Sequence, residues 1–108
     1  MTSAAAVIEA RAVMRGDVVG GGDLLVLQRR LDEALDAGRR RITLDLGGVA
    51  IAGPQTEVLL CRALRRLTRS GAAVTIVGVD RRVSRILELC EIEGLNVTAP
   101  GAPAVVAG

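Results

Sequence analysis

The fold is decided by residues 42–79, ITLDLGGVAIAGPQTEVLLCRALRRLTRSGAAVTIVGV, in which two apolar segments flank one amphipathic segment. Apolar and polar residues alternate over 42–46, which predicts a strand with one buried face. The nearly continuous apolar run 72–79 predicts a central strand covered on both faces. Between them, Gly53-Pro54 predicts a helix start, because the first helical turn has no partner for the N–H that proline lacks. A strand–helix–strand unit of this kind is typical of an α/β domain.

The flanking sequence extends this pattern in both directions. Alternation over residues 6–14 predicts a half-solvated first strand, and residues 17–19 predict a short second one. Two further helices are predicted from their apolar spacing, over 23–37 and over 81–91, the latter capped by Asp80. With a last strand in LNVTA, the predicted fold is α/β, a single-layer mixed β-sheet with helices packed on it, in the order β-β-α-β-α-β-α-β.

The amino-acid composition argues against several classes of function. The chain has 108 residues, a net charge of +2, two cysteines, no histidine and no aromatic residue. Without aromatic stacking platforms a single-strand nucleic-acid binder is disfavoured, so we expect no nucleic-acid partner. With no histidine and only two cysteines, far apart in the sequence, a zinc site lacks ligands and a histidine-dependent triad is impossible. We therefore predict no metal, no cofactor and no enzyme activity.

The sequence also predicts the limits of the domain and the cellular location of the protein. One domain is predicted over residues 1–98, and a flexible tail over 99–108, which is rich in small residues, proline and glycine. The N-terminus lacks the pattern of a signal peptide, and no segment approaches the roughly 18 apolar residues of a membrane span. We therefore predict a cytoplasmic protein with no direct membrane insertion.

Four segments resemble the STAS domain of bacterial anti-sigma factor antagonists, and the resemblance covers residues 6–98. The segment RGDVV resembles the Gly-Glu-Leu-Asp element after that family's first strand, and AGRRRITLDLGGV resembles its aGxxxlvlDLsgV strand. The segment GAAVTIVGVDRRVSRILEL resembles the family's next pattern, GxxlxlvgvsxxvxrvLel, and EGLNV resembles the xGLxxl pattern that comes after it. The resemblance implies a non-catalytic interaction module, an anti-anti-sigma factor in transcription signalling, whose partner is an ATP-binding, kinase-like anti-sigma factor.

The family's phosphorylation motif, Asp-Ser-Ser-Gly, is degenerate in this chain. It aligns with Gly53, Pro54, Gln55 and Thr56, so Pro54 stands at the position that matches the phosphoacceptor. A phosphate at a helix start would meet free N–H groups and the positive end of the helix dipole, but neither proline nor glutamine can accept one. The hydroxyl of Thr56 is either a relocated phosphosite or a group satisfied locally, and the second interpretation is favoured.

The resemblance also implies where a partner binds, because the start of the second predicted helix is the family's docking surface. Val58 is an apolar residue surrounded by arginines on the outer side of that helix, as expected of a residue at the centre of a protein–protein contact. The implied partner-binding residues are Gly53, Pro54, Gln55, Thr56, Glu57, Val58 and Arg62.

Four questions stay open at this point. STAS domains also serve as accessory subunits of ABC-type lipid transporters that brace the ATPase, and a homodimer is possible. Cys61 and Cys90 either form a redox pair or are two small core hydrophobes, the favoured interpretation. The arginines at the start of the third predicted helix either bind an anionic group of a partner or are neutralised by Asp80 and Glu88. The second interpretation is favoured.

Overall fold

Strands and helices alternate along the chain in the computed structural model, which describes residues 5–13, 18–48, 50–51 and 53–98. The strands are β1 (Ala5–Glu9), β2 (Val18–Val19), β3 (Arg41–Asp45), β4 (Ala50–Ile51), β5 (Ala73–Val77) and β6 (Leu95–Val97). The helices are α1 (Ala10–Val13), α2 (Gly21–Asp36), α3 (Gly53–Arg69) and α4 (Arg81–Leu89). The predicted α/β class is confirmed. The predicted tail over 99–108 lies outside the described residues.

The main sheet has four strands in the order β1-β3-β5-β6, and β2 pairs with β4 apart from it. Every strand pairing among the described residues is parallel, so the mixed sheet predicted from the sequence is corrected. The reason is the connectivity of the main sheet. Each pair of neighbouring strands is joined by a helical crossover, which returns the chain in the same direction.

The first predicted strand is shorter than its sequence pattern suggested. It ends at Glu9, and residues 10–13 form the short helix α1, although apolar alternation continues through them. Ala10 is fully buried whereas Ala12 is exposed, so the strand periodicity stops at this point. Alanine has the highest intrinsic helix propensity, which accounts for the change. The short strand β4 was not predicted either.

The hydrophobic core lies between one face of the main sheet and the helices α2, α3 and α4. Because β1, β3, β5 and β6 follow each other in space as in sequence, right-handed crossovers place these helices on the same face. The core contains, as predicted, Ile42, Leu44 and Leu46, and with them Leu24, Leu27, Leu31, Leu60, Leu64, Leu67, Val74, Ile76, Val83 and Leu87. On the opposite face of β5, Thr75 and Val77 are half-exposed, so that strand is covered fully on one face only.

Two turns meet tightly at the carboxyl edge of the main sheet, next to the start of α3. The carboxylate Oδ1 of Asp45 accepts a hydrogen bond of 2.8 Å from the backbone N–H of Gly47. Gly78 follows β5 with φ +76°, and a Cβ there would lie 2.5 Å from the backbone nitrogen of Gly47. Only glycine fits this close approach. The contact fixes the turn that leads from β3 through β4 to α3.

Candidate functional site

The segment that was predicted from the resemblance to match the family phosphorylation motif lies at the exposed start of α3. Gly53 opens the helix with φ +73°, a conformation that favours glycine. Gly53, Pro54 and Gln55 are all exposed. This segment is therefore open to a partner, with a proline fixing its first turn.

Thr56 and Glu57 point inwards, unlike the residues before them. Their exposed fractions are 6% and 8%, so these two predicted partner-binding residues are not part of the free surface of α3. They lie three to five residues before Leu60 and Cys61, and helical periodicity places them on the same buried face. The burial of both residues could have been predicted by extending the apolar arc of α3 one turn towards the N-terminus of the helix. Phosphorylation of Thr56 would require this buried residue to become more exposed.

Glu57 forms an ion pair with Arg82, whose Nη1 contacts the glutamate Oε1 directly. The Glu57 side chain is 10% exposed and that of Arg82 is 56% exposed, so the arginine covers the buried carboxylate from the solvent side. The Nη2 of Arg82 also donates to the carbonyl of Ile51 at 3.3 Å. Arg82 thereby connects the start of α4 to β4 and to the N-terminal part of α3.

This pairing corrects the favoured interpretation of the arginines that open α4. Arg82 is neutralised by Glu57 of another helix, and not by Asp80 or Glu88. Asp80 instead caps α4, since its Oδ1 accepts a 2.8 Å hydrogen bond from the N–H of Val83. The predicted cap is confirmed. Only tertiary structure brings Glu57 to Arg82, because the two are far apart in sequence.

An exposed apolar patch continues from the start of α3 onto α2. Val58 is 57% exposed, Leu59 43% and Leu25 69%. A shallow groove of about 460 Å³ runs between the two helices and is lined by Gly21, Leu24, Leu25, Gln28, Leu59, Arg62, Ala63 and Arg66. Leu25 was not predicted to be part of a surface. The signal was available, because LLVL at 24–27 places apolar residues outside the buried arc of α2.

Cys61 and Cys90 come together at the interface of α3 and α4. Their Sγ atoms are 2.7 Å apart, and both are free thiols. Cys61 is buried and Cys90 is half-buried. Burial raises the pKa of the Cys61 thiol to about 12, reinforced by its hydrogen bond to Cys90 and by the charge of Cys90. Cys61 is therefore held as a neutral thiol at physiological pH.

The family model described as "Mlab, STAS domain" matches residues 4–98, most of the chain. The chain belongs to the STAS domain family. No curated protein matches it. STAS domains are generally non-catalytic interaction modules, and this STAS domain has an exposed helix start and an exposed apolar patch on α2 and α3.

None of the helices in the described part of the chain combines the length and apolar character needed to cross a membrane. Within the same residues, no three His, Cys, Asp or Glu side chains cluster in a way that would hold a metal ion.

Proposed function

We propose that this STAS domain is a non-catalytic regulator of transcription that acts as an anti-sigma factor antagonist without a serine switch. Its partner is an ATP-binding, kinase-like anti-sigma factor. The observation that carries the proposal is the exposed start of α3, where Pro54 and Gln55 occupy the positions of the family's serines. We call Gly53, Pro54, Gln55, Val58, Leu59 and Arg62 the docking surface.

The chemistry of the docking surface supports a protein partner. Val58 and Leu59 offer exposed apolar area, and Arg62 supplies a cation one helical turn after Val58. Apolar centres beside arginine are frequent among residues that contribute most to protein binding. A complementary partner surface would carry an apolar residue and a nearby carboxylate.

The missing serine determines how the interaction is controlled. In the family, a phosphoserine at the helix start adds up to two negative charges to the docking surface and releases the partner. Neither Pro54 nor Gln55 can be phosphorylated, and Thr56 is buried. The complex would therefore persist as long as both proteins are present, with control at expression or through another residue.

A second candidate is an accessory subunit that braces the ATPase of an ABC-type lipid transporter. One observation favours it: the ion pair between Glu57 and Arg82 joins the N-terminal part of α3 to α4, and Arg82 also bonds to Ile51 of β4. A brace requires such a rigid contact and requires no phosphorylation. Either function would place this STAS domain in the cytoplasm.

Replacing Pro54 by aspartate is expected to weaken partner binding at least about tenfold, a loss of about 1.4 kcal/mol. The carboxylate would imitate part of the charge of a phosphoserine at the helix start, a position where acids are compatible with the helix dipole. Pro54→Ala is the matched control, because it removes the ring without adding charge. Binding of both variants is measured by calorimetry against the anti-sigma factors of the native cells. Unchanged affinity of Pro54→Asp would contradict the proposed docking surface.

The choice between the two functions is tested by affinity capture of the tagged protein from its native cells, followed by mass spectrometry. Recovery of an ATP-binding anti-sigma factor with wild-type protein, and its loss with Pro54→Asp, is the expected result. Recovery of a transporter ATPase in its place would favour the accessory subunit. Recovery of neither, with correctly folded bait, would contradict both.

A further inference from the structure

The interface between α3 and α4 contains a chemical feature that partner docking does not explain, the contact between two thiols. Cys61 lies near the middle of α3, and Cys90 is the C-cap of α4. Their sulfurs, 2.7 Å apart, are closer than the separation of about 3.5–4 Å at which non-bonded heavy atoms pack. A disulfide requires about 2.05 Å, so an approach of well under 1 Å would bring them to bonding distance.

We propose that Cys61 and Cys90 are a redox-modification site that forms a reversible intramolecular disulfide, with a small-molecule disulfide of the glutathione type as oxidant. The disulfide would be a second connection between α3 and α4, in addition to the ion pair of Glu57 and Arg82. This inference does not rest on the proposed function, because it concerns the protein alone.

The surroundings of the two sulfurs determine which one reacts first. Cys90 is half-buried and lies at the end of α4, whereas Cys61 is buried. Arg65 donates from its Nη2 to the carbonyl of Cys90 at 3.0 Å, which holds an exposed guanidinium next to this residue. A cation at this position attracts the carboxylates of glutathione. Cys90 is therefore the residue that meets the oxidant, and Cys61 is the residue that resolves the intermediate.

The reaction balances as two successive thiol–disulfide exchanges. The Cys90 thiol loses its proton to solvent, and its sulfur attacks one sulfur of oxidised glutathione, which expels one glutathione thiolate. The Cys61 thiol then loses its proton, and its sulfur attacks the Cys90 sulfur of the mixed disulfide and expels the second. The protein loses two electrons and two protons, and the oxidant is reduced to two glutathione thiols. The burial of Cys61, which disfavours its thiolate, makes the second step the slower one.

The test uses the folded wild-type protein with oxidised glutathione as the probe, followed by intact mass spectrometry under non-reducing conditions. The expected product is a monomer lighter by about 2 Da, with no titratable thiol, which dithiothreitol converts back to the starting mass. Closing the loop between residues 61 and 90 is expected to raise the melting temperature by about 10 °C. Peptide mapping should recover one peptide pair that links the two cysteines.

Two single variants serve as controls. Cys61→Ser should stop at the mixed disulfide, with one glutathione retained on Cys90, and Cys90→Ser should react far more slowly because its remaining thiol is buried. The proposal would be overturned if wild-type protein kept glutathione as its final product, formed disulfide-linked dimers, or retained both thiols under conditions in which a model dithiol is oxidised. These outcomes are read on the wild-type protein and do not depend on whether a variant folds.

Discussion

Gly78→Ala is expected to lower the free energy of unfolding by about 3 kcal/mol. Two effects act together at this position. The φ of +76° is unfavourable for alanine, and the new Cβ would lie 2.5 Å from the nitrogen of Gly47 and 2.7 Å from its Cα. Both of those atoms belong to the backbone, so no side chain can rotate away, and the turn after β3 must move. The measurement is urea denaturation followed by circular dichroism.

Gly22→Ala is the matched control, because it makes the same chemical change in the first turn of α2. Nothing lies within 4 Å of a Cβ built at Gly22, and its φ is not in the left-handed region. Alanine there should stabilise the protein by about 0.5–1 kcal/mol through its higher helix propensity. If the two variants had equal stability, the tight contact between Gly78 and Gly47 would not exist in solution.

Arg82→Met is expected to lower the free energy of unfolding by about 2 kcal/mol at neutral pH. The substitution keeps an aliphatic side chain but leaves the carboxylate of Glu57 buried without its cation. The expected loss is smaller than that for a fully buried pair, because the Arg82 side chain is 56% exposed and solvent screens it. Thermal or urea unfolding gives the value.

A double-mutant cycle separates the ion pair from other effects of the substitution. Glu57→Gln removes the charge that Arg82 compensates, so Arg82→Met should cost much less in that background. Arg81→Met is the control for removing a neighbouring cation, since Arg81 is exposed at the start of the same helix. Equal costs of Arg82→Met in both backgrounds would show that Glu57 and Arg82 are not coupled.

Much of the fold could be predicted because the apolar spacing is strong. The leucines of α2, the alternation of β3 and the cap at Asp80 each specify one local structure. The structure of residues 6–14 was harder to predict. Their apolar alternation is typical of a strand, whereas the alanines at 10 and 12 also favour a helix. The parallel direction of the main strands follows from the predicted alternation of strands and helices, and it could have been predicted from that alternation. The separate pairing of β2 with β4 depends on contacts between distant segments, which local patterns do not encode.

The candidate site was only partly accessible to sequence reasoning. Exposure of the α3 start at Pro54 agrees with what a helix N-terminus and the family resemblance suggest. The burial of Glu57 follows from helical periodicity, yet a charged residue near a helix start is ordinarily assigned to solvent. Its partner Arg82 and the approach of Cys61 to Cys90 arise only from the packing of α3 against α4.

The central claim is that this STAS domain binds its partner through the start of α3, and Val58→Asp tests it most directly. Leu89→Asp is the matched control, because it also places a carboxylate at an exposed apolar position of a helix, 75% exposed on α4 against 57% for Val58. The measurement is the dissociation constant of each variant for the captured partner. We predict at least about tenfold weaker binding for Val58→Asp and wild-type affinity for Leu89→Asp. Wild-type affinity of Val58→Asp, or an equal loss in both variants, would contradict this account.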